Sequence, residues 1–168
     1  MSSNLAQLYE ADFVRWTEQQ AAALREAAGL GTNLALDWEN LADEIDSLGR
    51  SQKRELRSRI ATIIEHLLKL ESSPAADPRR AWMDTVARER LNIEDLLDDS
   101  PSLRNDVAAM VARAMPRTIK LVTRSLRNHA EATSETITQI ENANYTADQV
   151  LGEWFPGDAP LPANGERE

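Results

Sequence analysis

Residues 37–71 read DWENLADEIDSLGRSQKRELRSRIATIIEHLLKLE, and the spacing within this stretch decides the fold class. It holds no proline and one glycine. Leu41, Ile45, Leu48, Gln52, Leu56, Ile60, Ile63, Leu67 and Leu70 recur at steps of three and four, the interval that returns to one face of an α-helix. Charge order supports continuity through Gly49. Residues 37–46 contain five acids and no base, whereas Arg50, Lys53, Arg54, Arg57 and Arg59 follow with only Glu55 opposed. A helix starting at Gly49 would set its positive dipole end against that basic cluster, costing up to about 1 kcal/mol per charge. A single helix with acids in its first turns avoids this, and its interior glycine costs only about 1 kcal/mol relative to alanine. Asp37 is a good N-cap, so one helix is expected over 38–71.

Toward the N-terminus, Leu5, Tyr9, Phe13, Trp16, Gln20, Ala23 and Ala27 keep the same spacing, which predicts a helix over 3–28 stopped by Gly29 and Gly31. Toward the C-terminus, Ser72-Ser73-Pro74 breaks the long helix, and Asp77-Pro78 and Ser100-Pro101 are start signals for the next two. A third helix over 78–98 aligns Trp82, Val86, Arg90, Ile93 and Leu97; a fourth over 101–131 aligns Val107, Val111, Met115, Val122 and Leu126. Pro116 lies inside the fourth and is expected to kink it. Ile137 and Ile140, and a segment capped by Thr146, predict short C-terminal helical pieces. From Pro156 the chain is apolar-poor and reads as a disordered tail. The expectation is an all-α, up-and-down bundle of four main helices, forming a single domain over 1–155 with a tail at 156–168.

A chain of 168 residues can bury roughly 70% of its unfolded surface without disulfides or metals to hold it. Cysteine is absent, which excludes a thiol nucleophile and a cysteine zinc site. The N-terminus lacks a basic and then apolar leader pattern, and no apolar run nears the ~20 residues of a membrane span. A soluble, cytoplasmic protein is expected. The net charge is -9, which argues against general nucleic-acid affinity. The charge is uneven, however, because residues 100–133 are basic and every flanking segment is acidic.

Four blocks, ENLADEIDSLGRS, EHLLKL, AWMDTVARERLNIEDLLDDSPSLR and NYTADQVLGEWFP, resemble in that order those of the bacterial proteins grouped as domain of unknown function 29. The similarity covers roughly residues 9–157, and DSPSLR and HLLK are its most specific parts. Leu70 stands where an aromatic is more usual, and Asp46 where a glutamate is. The resemblance implies a small helical bundle and no activity.

Glu44 and His66 border the apolar stripe of the long helix and are candidates for a ligand, a proton carrier or a satisfied polar core group. They lie 22 positions apart, hence roughly 33 Å along a straight helix, which separates them as co-workers. Trp82 is expected level with His66, outlining a candidate pocket. Arg90 occupies an apolar line, so a carboxylate partner is expected, with Glu10 or Glu55 at about the right level. Metal chemistry finds little support. The residues three before His66 and His129 are Ile63 and Leu126, so the Glu-x-x-His pair of dimetal bundles is missing. Zincin, phosphate-loop, dinucleotide and nucleophile-elbow motifs are absent as well. No metal and no cofactor is expected.

The most distinctive surface feature is Arg113, Arg117, Lys120, Arg124 and Arg127. Steps of four, three, four and three set all five on one helical stripe. Without interleaved aromatics it points to an acidic protein surface or a second subunit more than to nucleic acid. Two functions from different classes are consistent with the sequence. One is a protein-interaction module using the basic stripe or apolar residues near Trp154 and Phe155, which the missing catalytic motifs favour. The other is an enzyme or metal-dependent protein with a pocket at His66 and Trp82.

Overall fold

The computed structural model describes residues 2–31, 34–73, 77–128 and 133–157. Seven α-helices and one 3-10 helix, and no strand, are found among the described residues, so the all-α class holds. The α-helices are α1 (Ser2–Ala11), α2 (Phe13–Gly29), α3 (Trp38–Ser72), α4 (Asp77–Asp99), α5 (Val107–Asn128), α6 (Ser134–Glu141) and α7 (Ala147–Leu151); the 3-10 turn, Pro101–Asp106, precedes α5. None is long and apolar enough to cross a membrane. The chain divides into two compact units, residues 1–56 with 94–106, and 57–93 with 107–168. Helices α3 and α4 therefore each supply a segment to both.

Helix α3 runs unbroken through Gly49. Its start is the expected one: the Asp37 carboxylate accepts from the Asn40 N–H at 3.2 Å, and the Asp37 carbonyl accepts from Leu41 N–H at 3.0 Å. Its C-terminal half carries the core of the second unit, where Ile60, Ile63, Ile64, Leu67 and Leu68 are wholly buried. The N-terminal half departs from expectation. Leu41 and Leu48 are 41% and 48% exposed, and the buried line is Ala42, Gly49 and Leu56. That line lies about 100° around the helix from the Leu41–Leu48 edge. The cause is a close approach by α2. A Cβ built on Gly49 would overlap the Thr17 hydroxyl oxygen, and would lie 3.4 Å from Thr17 Cβ and 3.9 Å from the Val14 carbonyl oxygen. Small residues, rather than the large ones, face the neighbour.

The helix expected over 3–28 is two helices. Asp12 breaks it with φ -163° and ψ 93°, and its carboxylate caps α2 by accepting from Arg15 N–H at 2.9 Å. The same carboxylate accepts from Ser102 N–H at 2.7 Å and from the Ser102 hydroxyl at 2.9 Å. Beside it, the buried Ser100 hydroxyl accepts from Val14 N–H at 3.2 Å and donates to Gln52 Oε1 at 2.8 Å. Asp12 is buried, and these bonds supply the acceptors and donors that a buried polar group needs. The expected aromatic face of this region is partly solvated. Tyr9 packs edge-on against Trp16 at 4.8 Å and against Phe13 at 5.7 Å, while remaining 47% exposed. The buried residues of α2 are Val14, Thr17 and Ala21. At its end, Gly31 takes the positive φ of 65°, whereas Gly29 is still helical.

In the second unit, α5 buries Val107, Val111, Met115, Val122 and Leu126 as its spacing predicts. Its start differs, because residues 101–106 wind as 3-10 helix. The helical pattern continues through Pro116, whose side of the helix is exposed, so the missing N–H leaves no buried orphan. Residues 129–131, the expected end of this helix, lie outside the described residues, as do 74–76 and the tail from 158 onward. Helices α6 and α7 pack on α5. Thr146 caps α7 through a reciprocal capping box with Gln149.

Candidate functional site

Arg90 is the most heavily engaged of the expected site residues. The expectation of a carboxylate partner gives way to a set of backbone carbonyls. Nε donates to the Val150 carbonyl at 3.0 Å, and Nη2 donates to the carbonyls of Gln149 at 2.9 Å and Trp154 at 2.7 Å. The guanidinium also lies 4.8 Å over the Phe155 ring. Gln149 and Val150 stand in the last turn of α7, where carbonyls lack helical partners and the dipole end is negative. A planar fork of donors suits these groups better than one carboxylate would. Burial pulls the guanidinium below the ordinary arginine value, with Glu153 pushing back. Arg90 is thus a structural clamp on the C-terminal segment.

The clamp also engages the aromatic residues beside it. Trp154 and Phe155 are half-buried: Trp154 packs 5.7 Å from Tyr145, and Phe155 lies against Arg90. Tyr145 is itself buried and donates its hydroxyl to the Glu71 carboxylate. Burial and this bond push the phenol well above its ordinary value. The aromatic C-terminus is a fastening on α3 and α4 rather than a free apolar patch.

Glu44 is exposed, and it belongs to the first unit while His66, Trp82 and Arg90 belong to the second. His66 is half-buried and donates from Nδ1 to the Thr62 carbonyl, four residues back, at 2.8 Å. This local bond, within α3 itself, engages one of the two ring nitrogens. Trp82 is half-buried, and no hydrogen bond joins it to His66 among the described residues. Among those residues, no group of three or more histidine, aspartate or glutamate side chains is placed to hold a metal. His129 lies outside them.

The basic stripe is intact. Arg113, Arg117, Lys120, Arg124 and Arg127 are all exposed on α5, opposite its buried face. Arg127 pairs with Glu141 at 3.5 Å; the other four make no ion pair among the described residues. Two open grooves flank the stripe. One, of about 560 Å³, runs between α3 and α5 and is lined by Arg57, Ala61, Met110, Arg113, Arg117 and Leu121 among others. The other, of about 430 Å³, is lined by Lys120, Thr123, Arg124, Arg127 and Glu141 among others. Thr123 is 5% exposed, and its hydroxyl has no hydrogen-bond partner among the described residues. Arg57 is the participant that sequence spacing missed. It sits on a different helix, and only packing of α3 on α5 adds it to the stripe.

Comparison with known proteins agrees with the helical fold. No curated protein matches the chain. An α-helical protein of unknown function from Rhodospirillum rubrum, known from its crystal structure, is similar at 29% identity. The alignment covers 86% of this chain and 89% of that one, with a TM-score of 0.63. The family model of the domain of unknown function DUF29 matches residues 8–155, which takes in the Asp12–Ser102 lock, the Arg90 clamp and the whole basic stripe. The chain is a member of the DUF29 family.

Proposed function

We propose that this protein is an interaction module whose α5 face binds an acidic protein surface. The single observation that carries the reading is the line of four exposed cations, Arg113, Arg117, Lys120 and Arg124, with no carboxylate partner among the described residues. Exposed like charges repel one another and are kept at some cost to the isolated chain; an acidic partner removes that cost and gains directed encounter. Flanking grooves give such a partner shape as well as charge. His66 is held by its own helix and Glu44 is solvated, so neither favours the enzyme reading. The test is affinity purification from the source organism with the native chain and with an Arg113→Glu/Arg117→Glu/Arg124→Glu variant. A partner retained by the native chain, lost with the variant and weakened by salt is the expected result. Stoichiometric metal in the purified protein, lost in His66→Ala, would overturn it.

A further inference from the structure

We infer that the partner of the α3–α5 groove is a second copy of this chain, which inserts the exposed acidic edge of its own α3. This rests on the reading of the α5 face as an interaction surface and names its occupant. The groove has a basic rim, Arg57, Arg113 and Arg117, and apolar walls at Met110 and Leu121, the latter 56% exposed. Its floor residues Ala61 and Ala114 are small, which lets another helix backbone approach closely. Such a groove fits an amphipathic helix whose apolar side chains are flanked by carboxylates.

The chain carries a segment of that description. Asp37, Leu41, Glu44 and Leu48 fall within about 60° of one another on α3 at 100° per residue. All four are exposed, with Leu41 and Leu48 at 41% and 48%. They lie about a quarter-turn from the buried line of Ala42, Gly49 and Leu56. Sizes agree too. Leu41 and Leu48 are about 10.5 Å apart along α3, and Met110 to Leu121 span about 16.5 Å of α5. Asp37 and Glu44 bring negative charge to either side of Leu41, and Arg57, Arg113 and Arg117 on the groove's rim carry the opposite charge. The acidic edge of α3 and the groove are different surfaces, so each can be altered while the other is kept.

The test is light scattering on size-exclusion fractions of the full chain, over protein concentration and salt. Native protein is expected at twice the chain mass or above in about 50 mM NaCl, with the dissociation constant rising at least tenfold by about 500 mM. Arg113→Glu/Arg117→Glu removes the groove and Leu41→Lys/Glu44→Lys removes the acidic edge of α3, and each variant alone is expected to be monomeric. Mixed, they form a one-to-one pair, since each retains what the other lacks, and that pairing also shows that both are folded. Native protein monomeric at low salt and about 0.5 mM, association surviving either variant, or a mixture that fails to pair would each overturn the inference. A native monomer that still captures an acidic partner, lost with Arg113→Glu/Arg117→Glu, overturns the second copy and leaves the interaction module standing. Capture that survives that variant overturns both.

Discussion

Gly49→Ala ought to stabilise an ordinary helix interior, and in this protein it should do the reverse. In α3 the new methyl would gain about 1 kcal/mol of helix propensity. It would also collide with Thr17, which is wholly buried and donates its hydroxyl to the Val14 carbonyl at 2.7 Å. Thr17 cannot swing away cheaply, because a β-branched side chain in a helix is restricted at χ1 and rotation would orphan a buried hydroxyl. Overpacking of this kind costs about 1–3 kcal/mol, so the net effect is a loss of about 1 kcal/mol. For a chain of this size that lowers Tm by about 2–4 °C. The decisive measurement repeats the substitution in a Thr17→Ala background. There the obstacle is gone and the Val14 carbonyl, at 3.9 Å from the new carbon, is no hindrance, so Gly49→Ala should stabilise by up to about 1 kcal/mol. The change of sign corresponds to a coupling of about 2 kcal/mol, readable from urea midpoints of the four-member cycle. If Gly49→Ala raises Tm with Thr17 in place, the close approach of α2 and α3 is not what requires the glycine.

Three further outcomes follow from the locks described above. Arg90→Met should lower stability by about 1–3 kcal/mol, because it strips donors from three carbonyls, and Arg90→Lys should recover less than half of that; an unchanged Tm for Arg90→Met would remove the clamp. Asp12→Asn should cost nearly as much as Asp12→Ala, about 1–2 kcal/mol on denaturant titration: the carboxylate accepts on both oxygens, from Arg15 and Ser102, and an amide has one acceptor. Recovery of native stability by Asn would mean that only the cap matters. Tyr145 has a folded-state pKa raised by burial and by Glu71, so its contribution is full below the unfolded tyrosine value near 10 and is lost as pH rises above it. Tyr145→Phe should therefore be less stable at pH 8, by about 1 kcal/mol, and should lose stability less steeply than the native chain between pH 10 and 11, by up to about 1.4 kcal/mol per pH unit. Parallel alkaline slopes for the two proteins would refute the assignment.

Two of the family-like blocks turn out to be fastenings. DSPSLR contributes Ser100 and Ser102, which bind α2 and α3 through Val14, Asp12 and Gln52. NYTADQVLGEWFP supplies Tyr145 to Glu71 and the carbonyls that Arg90 clamps. Both sets of bonds close over long separations in the chain, by polar contacts that hydrophobic periodicity does not register. Family likeness in these blocks therefore speaks to architecture.

Periodicity and charge order by themselves determined that the protein is all-α, that α3 runs through Gly49, that α5 buries Val107, Val111, Met115, Val122 and Leu126, and that five cations share the opposite face. Those properties are local, since 3.6 residues per turn and a helix dipole act within one element whatever surrounds it. Tertiary structure alone decided which edge of a helix is buried. Leu41 and Leu48 look like core by size, yet Ala42 and Gly49 are the buried positions, and at Gly49 α2 comes too close for a side chain. It also decided that Asp12 splits the first helix, that Arg90 finds carbonyls instead of a carboxylate, and that Arg57 joins the basic rim. Each of these depends on atoms brought together from distant parts of the chain, and spacing along one helix carries no record of its neighbours.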